Sequence, residues 1–486
     1  MPAGSRYDAI IVGGGPAGIF AALELSRHPN LRILLLEQGA DISERHCPAR
    51  VVGMCTHCAR CDITTGWGGA GVFSDGKLTL GSDVGGWLAE YLDDDALRLL
   101  IARVDGIYRD FGAPGRLYGA RSDALERWAG LASTYGLRLV HSPVRHLGTE
   151  NATGVLAAMR THLEDKVDIR THTEVVEVLT EPAQGEGAEG GRPRRRVVGV
   201  TTAAGDVYRS SAVILAPGRR GSAWLSGEAE RLGIPLVSNA VDVGVRVEVP
   251  AVVTDPITAE LYEPKLLYTS FHFEDQVRTF CMNPGGVVCT ESWGDAVTVN
   301  GHSYGDAARK TANTNFALLV STHFTEPFRE PIAYGKSIAR LANMLGKDVL
   351  VQRLGDLRTG HRTTPARLAR STVEPTLRAA TPGDLSFAFP YRHLRNLLEM
   401  LDALDGLLPG VGGPDTLLYG AEVKFYSSRV ALDAHLETPI FGLYAAGDGA
   451  GVTRGLVQAS ASGLVVGAAV AATKGMGGDE ARDRAW

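Results

Sequence analysis

The sequence predicts an α/β protein in which a Rossmann-type dinucleotide-binding domain carries an inserted α+β lobe. Three observations predict it. The chain opens on strand, glycine turn, helix, strand and acidic residue. It closes on strand, glycine loop and helix, and between them lie alternating β segments and a long mixed stretch. At 486 residues it exceeds a single core, so two or three connected lobes are expected.

The opening stretch runs from Asp8 to Gly39. The apolar run Ala9–Val12 suits a buried parallel strand, and Gly13, Gly15 and Gly18 have G-x-G-x-x-G spacing. Gly13 permits a tight turn, Gly15 lets a pyrophosphate approach the backbone, and Gly18 lets the following helix pack closely. That helix, Pro16–Arg27, begins on Pro16 and Ala17 and aims its positive N-terminus at the phosphates. A second strand, Leu31–Leu36, delivers Glu37 and Gln38, where a carboxylate can bind a ribose 2′-hydroxyl. An acid at this place disfavours a 2′-phosphorylated ligand and leaves FAD or NAD.

Next comes a polar, cysteine-bearing stretch, then Gly66–Lys77, GWGGAGVFSDGK. Glycines this dense suit a backbone pressed against a ligand, which makes Gly68, Gly69, Ala70, Gly71, Ser74 and Asp75 candidate contacts. Ser74 and Asp75 equally suit a turn. Residues Gly86–Tyr135 read as helical, Leu137–His141 and Val167–Thr171 as strands, and Ala152–Glu164 as a helix. Three β segments follow between Thr173 and Val213, the first two joined by the charged, low-complexity connector Glu181–Arg196. The last reads as one run, DVYRSSAVILA, entering the turn Ala216-Pro217-Gly218.

These segments divide the chain into 1–238 (with a helical excursion over 86–135), an inserted substrate lobe over 239–423, a return to the first domain over 424–472 and a flexible tail, 473–486. Within the lobe, VDVGVRVEVP alternates as a strand should, and Asp306–His323, Tyr334–Leu345 and Tyr391–Leu404 have helical character. The net charge of -6 makes no case for nucleic-acid binding. The first apolar run is the Rossmann strand itself, and the late run Gly463–Ala472 is too short to span a bilayer. The expectation is a cytoplasmic protein with no membrane segment. Its oligomeric state is not legible.

The second strong signal is PIFGLYAAGDGAGVTRGLVQASASG, Pro439–Gly463. A strand, Ile440–Ala446, ends on Gly447 and Asp448, and a glycine loop leads through Gly455 into the helix Leu456–Ala472, with Ala459 on its first turn. Asp448 can accept from a ribityl hydroxyl, and the N–H groups of Gly455 and Leu456 offer a positive helix terminus to a flavin pyrimidine. Paired with the opening fingerprint, this segment selects FAD over NAD.

Together these residues resemble the FAD-binding fold shared by glutathione-reductase-like and p-hydroxybenzoate-hydroxylase-like flavoproteins. The resemblance implies a Rossmann-type FAD-binding domain with an inserted α+β substrate lobe. It also implies that Ala216 and Gly218, in a turn whose middle residue is normally Thr rather than Pro217, lie near the cofactor, and that the Val175 backbone pairs with adenine. Over most of the chain the sequence is similar to a family named as FAD-dependent, or NAD(FAD)-utilising, dehydrogenases. The motifs are GWGGAGVFSDGKL, DVGVRVEVP, TFCMNPGGVV, VNGHSYGDAAR and the Gly447–Gly463 segment. Relatives often have a second Cys where this chain has Asn283.

Six cysteines in so long a chain are not a disulfide framework. Cys55, Cys58 and Cys61 are spaced C-x2-C-x2-C, with Cys47 upstream. They can supply ligands to a [4Fe–4S] cluster or zinc, form a redox-active dithiol, or be structural thiols. For acid–base chemistry the first candidate is Lys77, leaving the glycine loop, followed by Lys424 and Tyr426, with His302 and Arg454 behind them. The function expected is two-electron redox chemistry by an FAD-dependent oxidoreductase on an organic small molecule. Electrons would come from NAD(P)H, a ferredoxin-like partner or the substrate itself. A flavin monooxygenase and a non-catalytic dinucleotide-binding regulator are the alternatives.

Overall fold

The computed structural model describes residues 6–48, 58, 60–72, 76–183, 195–237, 239–293, 295–304, 307–324, 328, 330–425 and 428–475. The chain divides into two units: Met1–Gly115 with Arg145–Val237 and Ser427–Trp486, and Arg116–Val144 with Ser238–Tyr426.

The first unit is built on a five-stranded parallel sheet in the order Leu443–Ala445, Val213–Leu215, Ala9–Val12, Ile33–Leu36, Asp168–Arg170. Its middle strands are buried along their whole length, which is why they read as unbroken apolar runs rather than alternating ones. The helices Pro16–Leu25 and Leu456–Gly475 pack against each other at close range. A Cβ on Gly463 would come within 2.2 Å of the Ala17 carbonyl oxygen, and one on Gly467 within 2.8 Å of Glu24 Cβ. Glycines on one helix thus let the two backbones touch. A three-stranded antiparallel sheet, Val175–Pro182, Arg195–Thr202 and Val207–Arg209, completes the strands of interest.

The second unit holds an eight-stranded sheet in the order Thr381–Pro382, Leu350–Arg353, Leu417–Lys424, Val241–Pro250, Asn313–Thr322, Gln276–Pro284, Lys265–Thr269, Leu137–Val140. Alternation along Val241–Pro250 sorts its two faces. Val243, Val245, Val247 and Val249 enter an apolar core shared with the helix Tyr391–Leu407. Asp242, Arg246 and Glu248 point the other way and are also buried. Their charges are met by partners on neighbouring strands, as described below.

Four sequence expectations change. Asp306–His323 reads as helical, but Asn313–Thr322 is a strand, paired on both sides. It lies centrally in its sheet, where burial on both faces removes the two-residue period. Residues 116–144, assigned to the first domain, join the second unit because Leu137–Val140 pairs with Lys265–Thr269. The single run DVYRSSAVILA is two strands in two sheets, broken at Ser210, whose hydroxyl accepts from Ala212 N at 3.1 Å. The C-terminal helix is longer than the apolar run suggested. At 20 residues, with a window of mean hydropathy 1.6, it is long and apolar enough to cross a bilayer by length and composition, yet 78% of that window is buried inside the protein. Packing against the N-terminal helix accounts for its composition.

His393 is buried on the helix Tyr391–Leu407, with Nε2 3.1 Å from the Thr322 hydroxyl and Nδ1 enclosed without a hydrogen-bond partner. Burial pushes its imidazole down to about 4, opposed by the Asp275 carboxylate and reinforced by Arg392. A base whose folded pKa lies below its unfolded value binds protons preferentially in the unfolded chain. Stability is therefore full above the unfolded pKa, near 6.5, and is lost as pH falls toward about 4. His393→Phe is expected to remove about 3 kcal/mol of that acid-induced loss. Urea unfolding at a series of pH values measures it, and an unchanged slope would contradict this assignment.

Candidate functional site

Within the first unit the structure brings together three segments that are far apart in sequence. Gly13 has φ +109°, and a Cβ there would lie 2.1 Å from the Ala216 carbonyl oxygen, so the first turn is pressed onto the Ala216–Gly218 turn. A Cβ on Gly18 would lie 1.9 Å from the Gly13 carbonyl oxygen, which closes the helix onto its own preceding turn. Gly15 differs from both. Its Cβ would meet nothing nearer than Gly69 Cα, at 4.0 Å. It caps the helix Pro16–Leu25 with no side-chain hydrogen bond, Pro16 holding the first helical position, and Ala17 is buried behind it. An uncapped helix N-terminus facing open space is a site for an anion.

The glycine-rich segment supplies the second wall. Gly68 N donates to the Gly14 carbonyl at 2.7 Å, and a Cβ on Gly71 would sit 2.4 Å from Leu456 Cδ2. The short 3-10 helix Gly69–Val72, which includes Ala70, thus lies against both the fingerprint and the start of the C-terminal helix. The third segment is Gly447–Leu456. A Cβ on Gly447 would meet Ala17 Cβ at 2.9 Å, and one on Gly449 the Gly218 carbonyl oxygen at 2.5 Å. Asp448 Oδ1 accepts from the Thr453 hydroxyl at 2.8 Å and from Gly455 N at 3.2 Å. Burial pushes its carboxyl pKa up, against the pull of Arg219 and those two hydrogen bonds. Gly455 has φ +138° with nothing within 4 Å of a Cβ, and Ala459 N returns to its carbonyl at 3.0 Å.

Glu37 is buried, and its carboxylate accepts from Gly14 N at 2.7 Å, Gly39 N at 2.8 Å and Gly66 N at 2.9 Å. It holds the first and second segments together. A carboxylate has about four acceptor positions, so a ribose hydroxyl can still be accommodated beside these donors. Val175 is buried at the start of its strand, and Thr173 N donates to the Glu37 carbonyl at 2.9 Å.

Residues 240–425 match the family described as FAD-dependent protein, C-terminal domain-like, and residues 11–59 match the NAD(P)-binding Rossmann-like domain. Two parts of the chain thus match an FAD-dependent protein domain and a dinucleotide-binding Rossmann-like domain. An uncharacterized protein of Clostridium beijerinckii is 26% identical to it over 94% of this chain and 79% of that protein. LodB of Marinomonas mediterranea, provisionally named an FAD-dependent oxidoreductase, is 60% identical over 38 residues, 8% of this chain and 10% of its own. Among solved structures, L-proline dehydrogenase from P. horikoshii has a TM-score of 0.39 at 13% identity, covering 97% of this chain and 94% of that one. Glycine oxidase from Geobacillus kaustophilus has a TM-score of 0.37 at 15% identity, covering 96% and 94%. Nothing further rests on likenesses this distant.

The residues of the first unit fit FAD. The open face at Gly15, the uncapped helix and the space at Gly455 and Gly218 give an FAD pyrophosphate and flavin room, while Gly13, Gly18, Gly71, Gly447 and Gly449 are packed tight. Gln38 lies just beyond Glu37, its carbonyl accepting from Arg60.

Sequence reasoning missed Arg45. Its buried guanidinium donates to the carbonyls of Asp62 at 2.9 Å, Trp67 at 2.7 Å, Gly69 at 2.8 Å and Ile63 at 3.2 Å. Burial lowers its pKa to about 10, with Glu37 among the carboxylates opposing the shift. Trp67 is wholly buried and donates its indole N–H to the Leu156 carbonyl at 2.9 Å. These two residues, together with Glu37, hold the second segment in place.

The other candidates are distributed. Lys77 is partly buried at the start of the strand Lys77–Thr79, beside the C-terminal helix. Lys424 belongs to the second unit, 2.9 Å from Glu422. Arg454 stacks on Trp87 at 3.7 Å, with Arg429 5.3 Å from the same ring, and the His302 ring packs on Tyr304. Cys47 and Cys61 are partly buried and Cys58 is exposed, and among the described residues no three His, Cys, Asp or Glu converge as a metal site. Cys55, Ser74, Asp75 and Tyr426 lie outside the described residues.

Proposed function

We propose that the chain is an FAD-dependent oxidoreductase acting as a dehydrogenase or reductase, moving two electrons between an organic small molecule and its flavin. The observation that carries this reading is the convergence of Gly13–Gly18, Gly66–Val72 and Gly447–Leu456 around the open face at Gly15. FAD, when bound, supplies the hydride chemistry. The chain supplies the rest: Gly15 and the helix behind it hold the pyrophosphate, Glu37 accepts from the ribose, and Asp448 accepts from the ribityl chain. The backbone of Gly455 and Leu456 offers positive charge to the pyrimidine end. Val175, Ala216 and Gly218 line the adenine and turn side. Lys77, leaving the second segment, is our candidate for a proton-handling group there.

We further propose that electrons arrive from outside the chain, from NAD(P)H or from a small iron–sulfur protein. A metal-binding role for Cys47, Cys55, Cys58 and Cys61 belongs to the second case. Anaerobic mixing of the flavin-loaded protein with NADH, NADPH and reduced ferredoxin tests the proposal, with iron and zinc measured in the same preparation. Bleaching of the flavin bands by at least one donor without oxygen is expected. Flavin that stays oxidised with every donor would overturn the external-donor proposal, and substrate hydroxylation that requires oxygen would overturn the dehydrogenase or reductase reading.

A further inference from the structure

We infer that the second unit carries, around Phe280, a subsite for an organic mono-anion with an apolar or aromatic body, a carboxylate by its chemistry. The inference deepens the proposed function, on which it rests, by naming the substrate class as an organic acid. The site is made by side chains from three strands of the eight-stranded sheet. Phe280 lies partly buried on Gln276–Pro284. Arg278 Cζ is 4.8 Å from the centroid of its ring, Lys265 Nζ 5.7 Å and Lys424 Nζ 5.9 Å.

Three cations about one phenyl ring repel one another, and the ring's quadrupole offsets only part of that. Carboxylates offset more. Arg278 pairs with Asp242, and Lys265 is 3.8 Å from Glu263. Lys424 is different because its carboxylate is shared. Glu422 accepts from Arg246 Nε at 2.8 Å and Nη2 at 2.7 Å, a two-point clamp, and Lys424 Nζ reaches the same Oε1 at 2.9 Å. Arg246, Glu422 and Lys424 therefore form a triad with one net positive charge. The side chains of Arg246 and Glu422 are 0% exposed, whereas that of Lys424 is 12% exposed, so the outer end of the triad is the cation.

A carboxylate beside Lys424 and Arg278 would neutralise that charge, and its body would rest on the Phe280 ring. Farther along the same face, Glu248 accepts from the Tyr419 hydroxyl at 2.5 Å and the Thr376 hydroxyl at 2.6 Å, so the sheet satisfies its buried acids internally there. Among the described residues the unshared positive charge of the triad lies at Lys424, beside Phe280.

The test is calorimetric titration of the flavin-loaded enzyme with benzoate and, separately, with benzamide, which has the same body without the charge. Benzoate is expected to bind at least about tenfold tighter than benzamide. Lys424→Met should erase that preference, Lys424→Arg should keep it, and Phe280→Ala should weaken both ligands. Because Glu422 keeps its clamp to Arg246, Lys424→Met leaves no buried charge unpaired and is expected to fold. Equal binding of acid and amide by the wild type, no binding of either, or a preference retained in Lys424→Met would overturn the subsite. Flavin content and anaerobic reducibility are measured on the same samples. If they fail in the wild type, the proposed function falls and the acid preference stands or falls separately.

Discussion

Gly15→Ala is expected to fold as the wild type does and to lose tight FAD binding. The position has φ −80° and ψ −176°, extended backbone that alanine accepts. The added methyl would meet no protein atom closer than 4.0 Å. What it fills is the space through which a pyrophosphate reaches the helix N-terminus, and a fall in affinity of about 100-fold, roughly 2.7 kcal/mol, is anticipated. The melting temperature of the apoprotein should move by only a few degrees, as a change of about 1 kcal/mol or less at a helix N-cap implies. Gly18→Ala makes the contrast. Its Cβ would lie 1.9 Å from the Gly13 carbonyl oxygen, so the helix must shift, and the apoprotein should lose about 3 kcal/mol. Flavin titration of the two variants, with thermal unfolding of their apo forms, separates a cradle from a packing contact. Wild-type FAD affinity in Gly15→Ala would show that the open face is not where the cofactor lies.

The second large effect is predicted for Glu422→Gln. Arg246 is wholly buried and also donates to the Cys281 carbonyl at 2.8 Å and to Asn300 Oδ1 at 3.0 Å. Burial alone would lower its pKa, but the Glu422 carboxylate, with Cys281 and Cys289, holds the guanidinium above its ordinary value. Removing the negative charge strands two cations, one with no access to water. A loss of about 3–5 kcal/mol is expected, read as a fall in the urea midpoint. Replacing both partners, as Arg246→Met with Glu422→Leu, should recover part of that loss, because a buried pair contributes little net stability over apolar residues of similar volume. A Glu422→Gln protein as stable as wild type would contradict this account of the sheet's polar face.

Much of the first unit was legible because its determinants are local. Gly13 and Gly18 do in the structure what their spacing implied, and the fully buried strands appear in the sequence as apolar runs. Arg45 was not legible. Its targets are backbone carbonyls from Asp62 to Gly69, which have no signature in side-chain identity. Asn313–Thr322 was misread because a strand buried on both faces carries no period to tell it from a helix. The alternation in VDVGVRVEVP was plain, but a polar face of this kind ordinarily meets water. Only the assembled sheet, which brings Glu422 to Arg246 and Arg278 to Asp242, shows that it is buried with its charges paired.

The central claim is that the two glycine motifs at opposite ends of the chain hold one flavin. Its most direct test is the visible spectrum and flavin stoichiometry of the purified full-length protein, reconstituted with FAD and freed of excess ligand. The account predicts a two-banded flavin spectrum and one FAD per chain, with the spectrum lost in Gly15→Ala. A wild-type protein that retains no FAD after reconstitution would contradict it.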